Sequence, residues 1–247
     1  MTRRATARLV GTLFVVASAA GVLSKMIQQP VTDAKDYLTA AAQHDARVAT
    51  GAVFEIAMDV AIVAIAVVLY PVLKRHSERL ALGYVAARMV EVVVFVVGSV
   101  LVSLTLLSVG QDFATAGTPA GSPFRTTGDA LVAGRDWATA VLGVIAFSVS
   151  ALILNYVLRR ADLVPRWLAS WGLAGAVLYL ATAAMVLYGL EPLSATQNLL
   201  QAPLGIQEMV LAIWLIVKGF NPSSAESPTL DPVRPTGWDQ PSLGVAR

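Results

Sequence analysis

The sequence of 247 residues contains no cysteine and few charged residues. The absence of cysteine excludes disulfide bonds, thiolate zinc sites, iron–sulfur clusters and cysteine nucleophiles. Asp, Glu, Lys and Arg make up only 14% of the chain, whereas they make up about a quarter of an ordinary soluble domain. The net charge is only +2, so the chain lacks the basic surplus typical of nucleic-acid-binding proteins. We therefore expect no nucleic-acid partner.

Long apolar stretches dominate what is present. Apolar residues make up 56% of the chain, and the mean hydropathy is +0.67. A bilayer core about 30 Å thick needs roughly 20 mostly apolar residues per helix. The stretches that meet this requirement are Leu9–Ile27, Gly51–Tyr70, Leu82–Leu107, Trp137–Leu158, Trp167–Leu190 and Leu199–Val217. The sequence thus predicts an all-α polytopic membrane protein, a bundle of six transmembrane helices with the lipid bilayer as its surroundings.

The placement of Lys and Arg predicts the orientation of this bundle. Three basic residues precede the first span, three lie between the second and third, three between the fourth and fifth, and three follow the sixth, against five on the opposite side. Because cytoplasmic flanks are enriched in Lys and Arg, we expect both termini in the cytoplasm. The basic start before Ala17, Ser18 and Ala19 also fits a cleaved secretory signal, but five further spans favour a retained first helix.

The connections and the tail differ from the spans in composition. Residues 1–220 form the predicted transmembrane domain, and residues 221–247, with five of the 12 prolines, form a predicted disordered cytoplasmic tail. The sequence of residues 28–50 predicts a short helix on the outer surface, with Asp33 as its N-cap, that either covers the bundle or forms a lid over an outward-facing cavity. Its apolar face comprises Tyr37, Leu38, Ala41 and Ala42. Residues 108–136 are rich in Gly, Thr and Pro and predict a mobile loop.

Recognisable catalytic and cofactor motifs are missing. The sequence has no His-Glu-x-x-His zinc motif, Gly-x-Ser-x-Gly nucleophile elbow, Walker loop or dinucleotide-binding glycine fingerprint. The two histidines, His44 and His76, fall on opposite sides of the predicted membrane, so one chain cannot pair them on a metal. Gly172 and Gly175 predict close helix packing rather than a cofactor loop. We predict no catalytic residue, metal site or cofactor, and an enzyme is the least favoured function.

Five ionisable residues lie within the predicted spans and form the candidate ligand- or ion-binding site. An ionisable side chain at the centre of a spanning helix costs about 2.5–3.5 kcal/mol on insertion, so each calls for a reason. The five are Glu55, Asp59, Arg88, Glu91 and Glu208. Because Asp59, Glu91 and Glu208 come from three helices and lie at similar predicted depths, we expect them to share one interior pocket.

Residue spacing predicts how these groups face each other. Glu55 and Asp59 are four residues apart and share one helix face, while Arg88 and Glu91 are three apart and share another. One guanidinium facing up to four carboxylates leaves a surplus of negative charge, which bound protons, a bound cation, hydrogen bonds or water can neutralise. In the competing interpretation, Glu55 faces the headgroups, Arg88 extends toward the inner surface, and an ion pair only fixes helix packing.

Four stretches resemble one prokaryotic membrane family. They are Tyr70–Arg75 (YPVLKR), Ala81–Glu91 with its Arg88, Val164–Gly172 (VPRWLASWG) and Glu208–Phe220. Together they are similar to the family known as domain of unknown function 4386, over about Leu9 to Phe220. The resemblance implies a bacterial or archaeal plasma-membrane protein with six or seven spans and carries no established activity. Its motif residues fall on Arg88, Glu91 and Glu208.

Two functional hypotheses follow from these observations. In the first, the acidic cluster binds or transports a small cation, a proton or a cationic solute. In the second, the protein is a non-catalytic structural or accessory membrane protein whose buried charges only fix helix packing.

Overall fold

The computed structural model describes residues 2–116 and 123–222. The helices in chain order are α1 (Arg3–Thr32), α2 (Tyr37–Gln43), α3 (Asp45–Lys74), α4 (Glu78–Phe95), α5 (Leu101–Ala116), α6 (Pro123–Trp137), α7 (Val144–Arg160), α8 (Arg166–Leu187) and α9 (Ala195–Val217). A π-helical segment, Val96–Val100, joins α4 to α5, and another, Ala138–Gly143, joins α6 to α7. These elements make six continuous helical stretches that are long and apolar enough to span a membrane. The six predicted spans are therefore confirmed.

The six spanning stretches form a closed ring. Helix α1 packs on α3, α3 on α4, α4 on α7, α7 on α8, α8 on α9, and α9 returns to α1. The start of α1 lies beside the end of α9, where a Cβ at Gly219 would lie 3.9 Å from Ala7. Both termini of the ring thus emerge on one side, which we call the termini side. Large apolar side chains, among them Leu73, Leu158 and Leu215, fill the ring on this side.

The opposite side of the ring carries a small cap made of α2 and the outer ends of α5 and α6. The stretch that contains α4 and α5 has 39 residues, which at about 1.5 Å per residue is nearly twice as long as the bilayer core is thick. Tyr37 and Leu38 of α2 pack against Leu106, Phe113 and Phe124 of these extended ends. The predicted short surface helix is present as α2.

Two expectations about the connections are wrong. Asp33 is not the N-cap of α2: it caps the C-terminus of α1, and Asp36 precedes α2. The predicted loop over residues 108–136 is helical as far as Ala116 and again from Pro123, because its apolar residues pack against α2. Residues 117–122 of that loop, and residues 223–247 of the predicted tail, lie outside the described residues.

The two π-helical segments lie side by side in the ring. Gly98 of the first faces Ala138 of the second, and a Cβ at Gly98 would lie only 2.6 Å from the Ala138 Cβ. Gly143, at the end of the second, lies against the ring of Phe95. π-Helical turns widen a helix locally and frequently occur at functional sites. This pair lies beside the cavity described below.

Candidate functional site

Arg88 is the central cation of the ring. On α4, its Nη1 donates to both carboxylate oxygens of Glu91, at 3.1 and 3.0 Å, because residues three apart on a helix share a face. Its Nε donates to the Tyr84 hydroxyl, one turn earlier, at 3.3 Å. The side chains of Arg88 and Glu91 are each only 3% exposed. Arg88 therefore stays inside the bundle, and the interpretation in which it extends toward the inner surface is wrong.

Glu208 approaches the same guanidinium from α9 but is held more loosely. Its Oε1 lies 3.6 Å from Nη2 of Arg88, which is beyond hydrogen-bonding distance. The Glu208 side chain retains 16% exposure, compared with 3% for Arg88. Within residues 2–116 and 123–222, no side chain or backbone group donates a hydrogen bond to the Glu208 carboxylate. The prediction that acids from separate helices converge on Arg88 thus holds for Glu91 and Glu208.

A cavity of about 180 Å³ lies beside these charges at the centre of the ring. Every spanning stretch contributes to its wall, with residues that include Phe14, Ile62, Glu91, Phe147, Tyr179 and Glu208. Most of the wall is apolar or aromatic, and the charged groups occupy one part of it. Ligand sites in proteins have this character, with apolar walls and a few polar groups that orient the ligand.

Aromatic rings surround the guanidinium. The Arg88 Cζ lies 5.3 Å from the centre of the Phe147 ring and 5.6 Å from that of Tyr84. Tyr179 of α8 meets Phe147 edge to face, with ring centres 5.0 Å apart. Aromatic faces attract cations because their quadrupole places negative charge above the ring, and the attraction is strongest where water is absent. The wall therefore already accommodates one buried cation.

Asp59 is a buried acid that makes no ion pair or hydrogen bond within residues 2–116 and 123–222. It is only 3% exposed, and neither of its carboxylate oxygens has a hydrogen-bond partner among the described residues. The charged groups that act on Asp59 are the carboxylates of Glu55 and Glu91, which carry the same negative charge as Asp59. Asp59 is not among the residues that line the cavity. Of the three acids expected to share one pocket, Glu91 and Glu208 line this cavity and Asp59 does not.

Glu55, one turn from Asp59, has a different environment. Ser99, Gln28 and Arg135 surround its carboxylate, and the residue is 7% exposed. Glu55 thus lies inside the bundle and does not face the headgroups. Arg135 was expected in a loop, but it belongs to α6 and its Nε donates to Ser99 Oγ at 3.5 Å. The bundle therefore contains a second guanidinium that the spacing of the spans did not predict.

The charges do not balance. The guanidinium groups of Arg88 and Arg135 are set against the candidate carboxylates of Glu55, Asp59, Glu91 and Glu208, and Asp136 also lies near Arg135. Among the four candidate acids, Glu208 has a long contact and Asp59 has no hydrogen-bond partner within the described residues. Across residues 2–116 and 123–222, no group of three or more His, Asp or Glu side chains is placed to hold a metal ion. The arrangement is chemically suited to attract a single positive charge to Glu208 on the cavity wall.

The chain belongs to the DUF4386 family. The model of this family, described as a domain of unknown function, matches residues 9–219. This match confirms the resemblance carried by the stretches around Arg88, Glu91 and Glu208. No curated protein and no solved structure matches the chain. Arg88, Glu91 and Glu208, which all lie within the matched residues, meet at the cavity.

Sequence reasoning missed the aromatic part of the site. Phe14, Phe95, Phe147 and Tyr179 line the cavity, but Phe and Tyr in an apolar span are also typical of lipid-facing positions. The Tyr84–Arg88 contact could have been found, since the two residues are four apart on one helix. The contacts of Phe147 and Tyr179 depend on how separate helices pack, which no local pattern specifies.

Close packing around α8 was predicted and is confirmed. A Cβ at Gly172 would collide with Oδ1 of Asn155 on α7, so a larger residue does not fit there. The same Oδ1 accepts a hydrogen bond from Nε2 of Gln207 on α9, at 3.2 Å. Because Gln207 precedes Glu208, this contact fixes α9 in the register that brings Glu208 to the cavity.

Proposed function

We propose that this membrane protein binds a small monovalent cation, a proton included, in its central cavity. The proposal rests on the unequal contacts that the Arg88 guanidinium makes with two acids. Its hydrogen bonds go to Glu91 and Tyr84, while Glu208 lies 3.6 Å away on the cavity wall with no hydrogen bond from the described residues. Glu208 is the carboxylate that a ligand can reach and neutralise.

The low polarity of the surroundings makes this charge significant. A carboxylate among apolar side chains interacts strongly with any cation that enters, because little water screens the attraction. An uncompensated charge in a spanning bundle is also costly, so a bound cation stabilises the folded state. In this proposal Glu208 contacts the cation, and the Arg88–Glu91 pair positions Glu208. Asp59 and Glu55 add to the negative potential.

The place of the cavity in the ring supports a role in movement across the membrane. Transporters commonly bind their substrates near the middle of the bilayer, between helices that rearrange to open each side in turn. Here all six spanning stretches reach one cavity. We therefore propose transport of the bound cation across the plasma membrane, with both termini in the cytoplasm as the basic flanks favour.

The proposal is tested by thermal unfolding of the purified full-length protein in detergent. Melting temperature is measured against increasing ammonium, methylammonium, Na⁺ and K⁺ at constant ionic strength, and against pH. The variant Glu208→Gln removes the charge, and Glu191→Gln is the matched control because Glu191 is exposed. A ligand at about 100 times its Kd should raise the melting temperature by roughly 5 °C in the wild type and Glu191→Gln, and not in Glu208→Gln.

The accessory hypothesis predicts a different result. Arg88–Glu91 is a satisfied pair that could serve packing alone. If the charges only fix packing, no cation or pH change should shift the wild type differently from Glu208→Gln. That outcome would overturn the proposed binding function.

A further inference from the structure

The cavity is larger and more apolar than a proton or an alkali ion requires. We propose that its ligand is a compact hydrophobic amine in its protonated, monovalent form, with the ammonium group at Glu208 and the apolar body against the aromatic wall. This inference rests on the proposed function and narrows it to one chemical class.

The size of the cavity sets the size of the apolar body. An engineered protein cavity of about 150 Å³, lined by Leu, Ile and Phe side chains, binds benzene. The cavity here has about 180 Å³, so it has room for one six-membered ring or a branched alkyl group with a small polar head. A bare alkali ion would leave most of this volume unfilled.

The part of the cavity wall away from Glu208 is apolar, as the hydrocarbon part of the proposed ligand requires. Phe14, Met58, Ile62, Phe95 and Val144 present apolar surface from four of the six spanning stretches. Burial of an apolar group against such a wall gains about 25 cal/mol for each Å² removed from water. The wall therefore favours a ligand that carries hydrocarbon as well as charge.

The hydrogen-bonding capacity of the charged groups selects the sign of the ligand. Arg88 uses Nε on Tyr84 and Nη1 on Glu91, and its remaining nitrogen, Nη2, faces the Glu208 carboxylate at 3.6 Å, so an anionic ligand at Nη2 would meet a group of its own charge. Glu208, by contrast, has its acceptor oxygens available. An ammonium group carries up to three donors and no acceptor, which complements a carboxylate. The nearby rings of Phe147 and Tyr179 add attraction for the positive charge.

The inference is tested with four probes of graded chemistry. Benzylammonium has the proposed charge and shape, benzyl alcohol has the shape without the charge, benzoate has the opposite charge, and methylammonium has the charge without the apolar body. Their Kd values are measured by calorimetry on the full-length protein in detergent. Benzylammonium should bind about tenfold or more tightly than each of the others, because only it satisfies both parts of the wall.

Two variants separate the contributions of charge and volume. Glu208→Gln removes the charge-assisted hydrogen bond to the ammonium group, so it should weaken benzylammonium binding about tenfold and leave benzyl alcohol binding unchanged. Ala17→Leu places a larger side chain on the cavity wall without changing any charge, and should exclude benzylammonium while methylammonium still binds. Glu191→Gln, at an exposed position, should change neither Kd.

The outcomes distinguish this inference from the proposed function. If methylammonium or a metal cation binds through Glu208 and benzylammonium does not, the hydrophobic-amine class is wrong and cation binding stands. If benzyl alcohol or benzoate binds as tightly as benzylammonium, the class is also wrong. If no cation binds in a Glu208-dependent way, both proposals fail.

Discussion

Arg88 and Asp59 are almost equally buried, at 2% and 3% exposure, yet their surroundings are opposite. Arg88 has a carboxylate pair, a hydroxyl and two aromatic rings around it. Asp59 has no hydrogen-bond partner among the described residues and two acids as neighbours. The difference teaches that burial alone does not define a site. The charge of Arg88 is neutralised by the groups around it, while that of Asp59 leaves negative potential inside the bundle.

The largest expected effect comes from removing the cation of the partnered group. Arg88→Leu leaves Glu91 and Glu208 buried with no positive charge, so the free energy of unfolding should fall by about 3–5 kcal/mol or more. Arg88→Lys keeps the charge but loses the two-fold contact with Glu91, and should fall between this variant and the wild type. Unfolding in mixed micelles with increasing denaturing detergent measures both. An Arg88→Leu protein as stable as the wild type would contradict the account.

Asp59 should respond in the opposite direction. Asp59→Asn removes a buried charge that has no partner, so the free energy of unfolding should rise by about 1 kcal/mol. Glu191→Gln, an equal change of charge at an exposed position, should stay within about 0.5 kcal/mol of the wild type. The same detergent titration compares all three proteins. A clear loss of stability in Asp59→Asn would show that Asp59 has a partner after all.

A smaller effect is expected in the cap. The Tyr37 hydroxyl donates to Asp129 Oδ1 at 2.5 Å and so ties α2 to α6. Burial, followed by the hydrogen bond and charge of Asp129, raises the pKa of Tyr37, so the hydroxyl keeps its proton. Tyr37→Phe should cost about 1–2 kcal/mol locally, seen as faster hydrogen exchange in residues 123–137.

The control for the cap is an exposed tyrosine. Tyr188, which is 92% exposed, should tolerate the same change to Phe with no altered exchange. Unchanged exchange in Tyr37→Phe as well would show that apolar packing alone holds the cap.

The smallest effect is expected at the exposed pair on the termini side. Arg166 Nε donates to Asp162 Oδ1 at 2.8 Å, and this hydrogen bond lowers the pKa of Asp162 below its ordinary value of 3.8. Because the folded-state pKa is lowered, the stabilisation is present above the ordinary value and is lost as the pH falls through the folded-state value. In Asp162→Asn the pair is absent at every pH, so the melting temperature should fall slightly less on acidification than in the wild type. Melting curves from about pH 6 to 3 would show the difference. An identical acid response in both proteins would contradict the pairing.

Much of the fold could be predicted because its signals are local. A span needs an unbroken apolar run, so all six spans are readable, although the helices extend beyond them into polar sequence. The Arg88–Glu91 pair follows from helical spacing within one span. The helical outer ends of α5 and α6 could not be predicted, because the Gly, Thr and Pro residues there are typical of a loop. Packing against α2 stabilises these ends as helix.

The site was predicted only in part, for a related reason. The position of each acid within its span predicted that Asp59, Glu91 and Glu208 lie at the same depth in the membrane. Depth does not specify which neighbouring helix a side chain faces. Asp59 is not among the residues that line the cavity, and Arg135 faces Ser99 near Glu55. The rotation of each helix about its axis is set by contacts with other helices. Examples are the packing of Asn155 on Gly172 and the hydrogen bond from Gln207 of α9 to Asn155.

The measurement that tests the central claim most directly compares Glu91→Gln with Glu208→Gln. The account holds that Arg88 is committed to Glu91 and that Glu208 is available to a cation. Glu91→Gln should therefore lower the free energy of unfolding by about 3 kcal/mol or more, while Glu208→Gln should change it by less than about 1 kcal/mol. An equal loss in the two variants, or a larger one in Glu208→Gln, would contradict the account, since both acids would then serve the packing of Arg88.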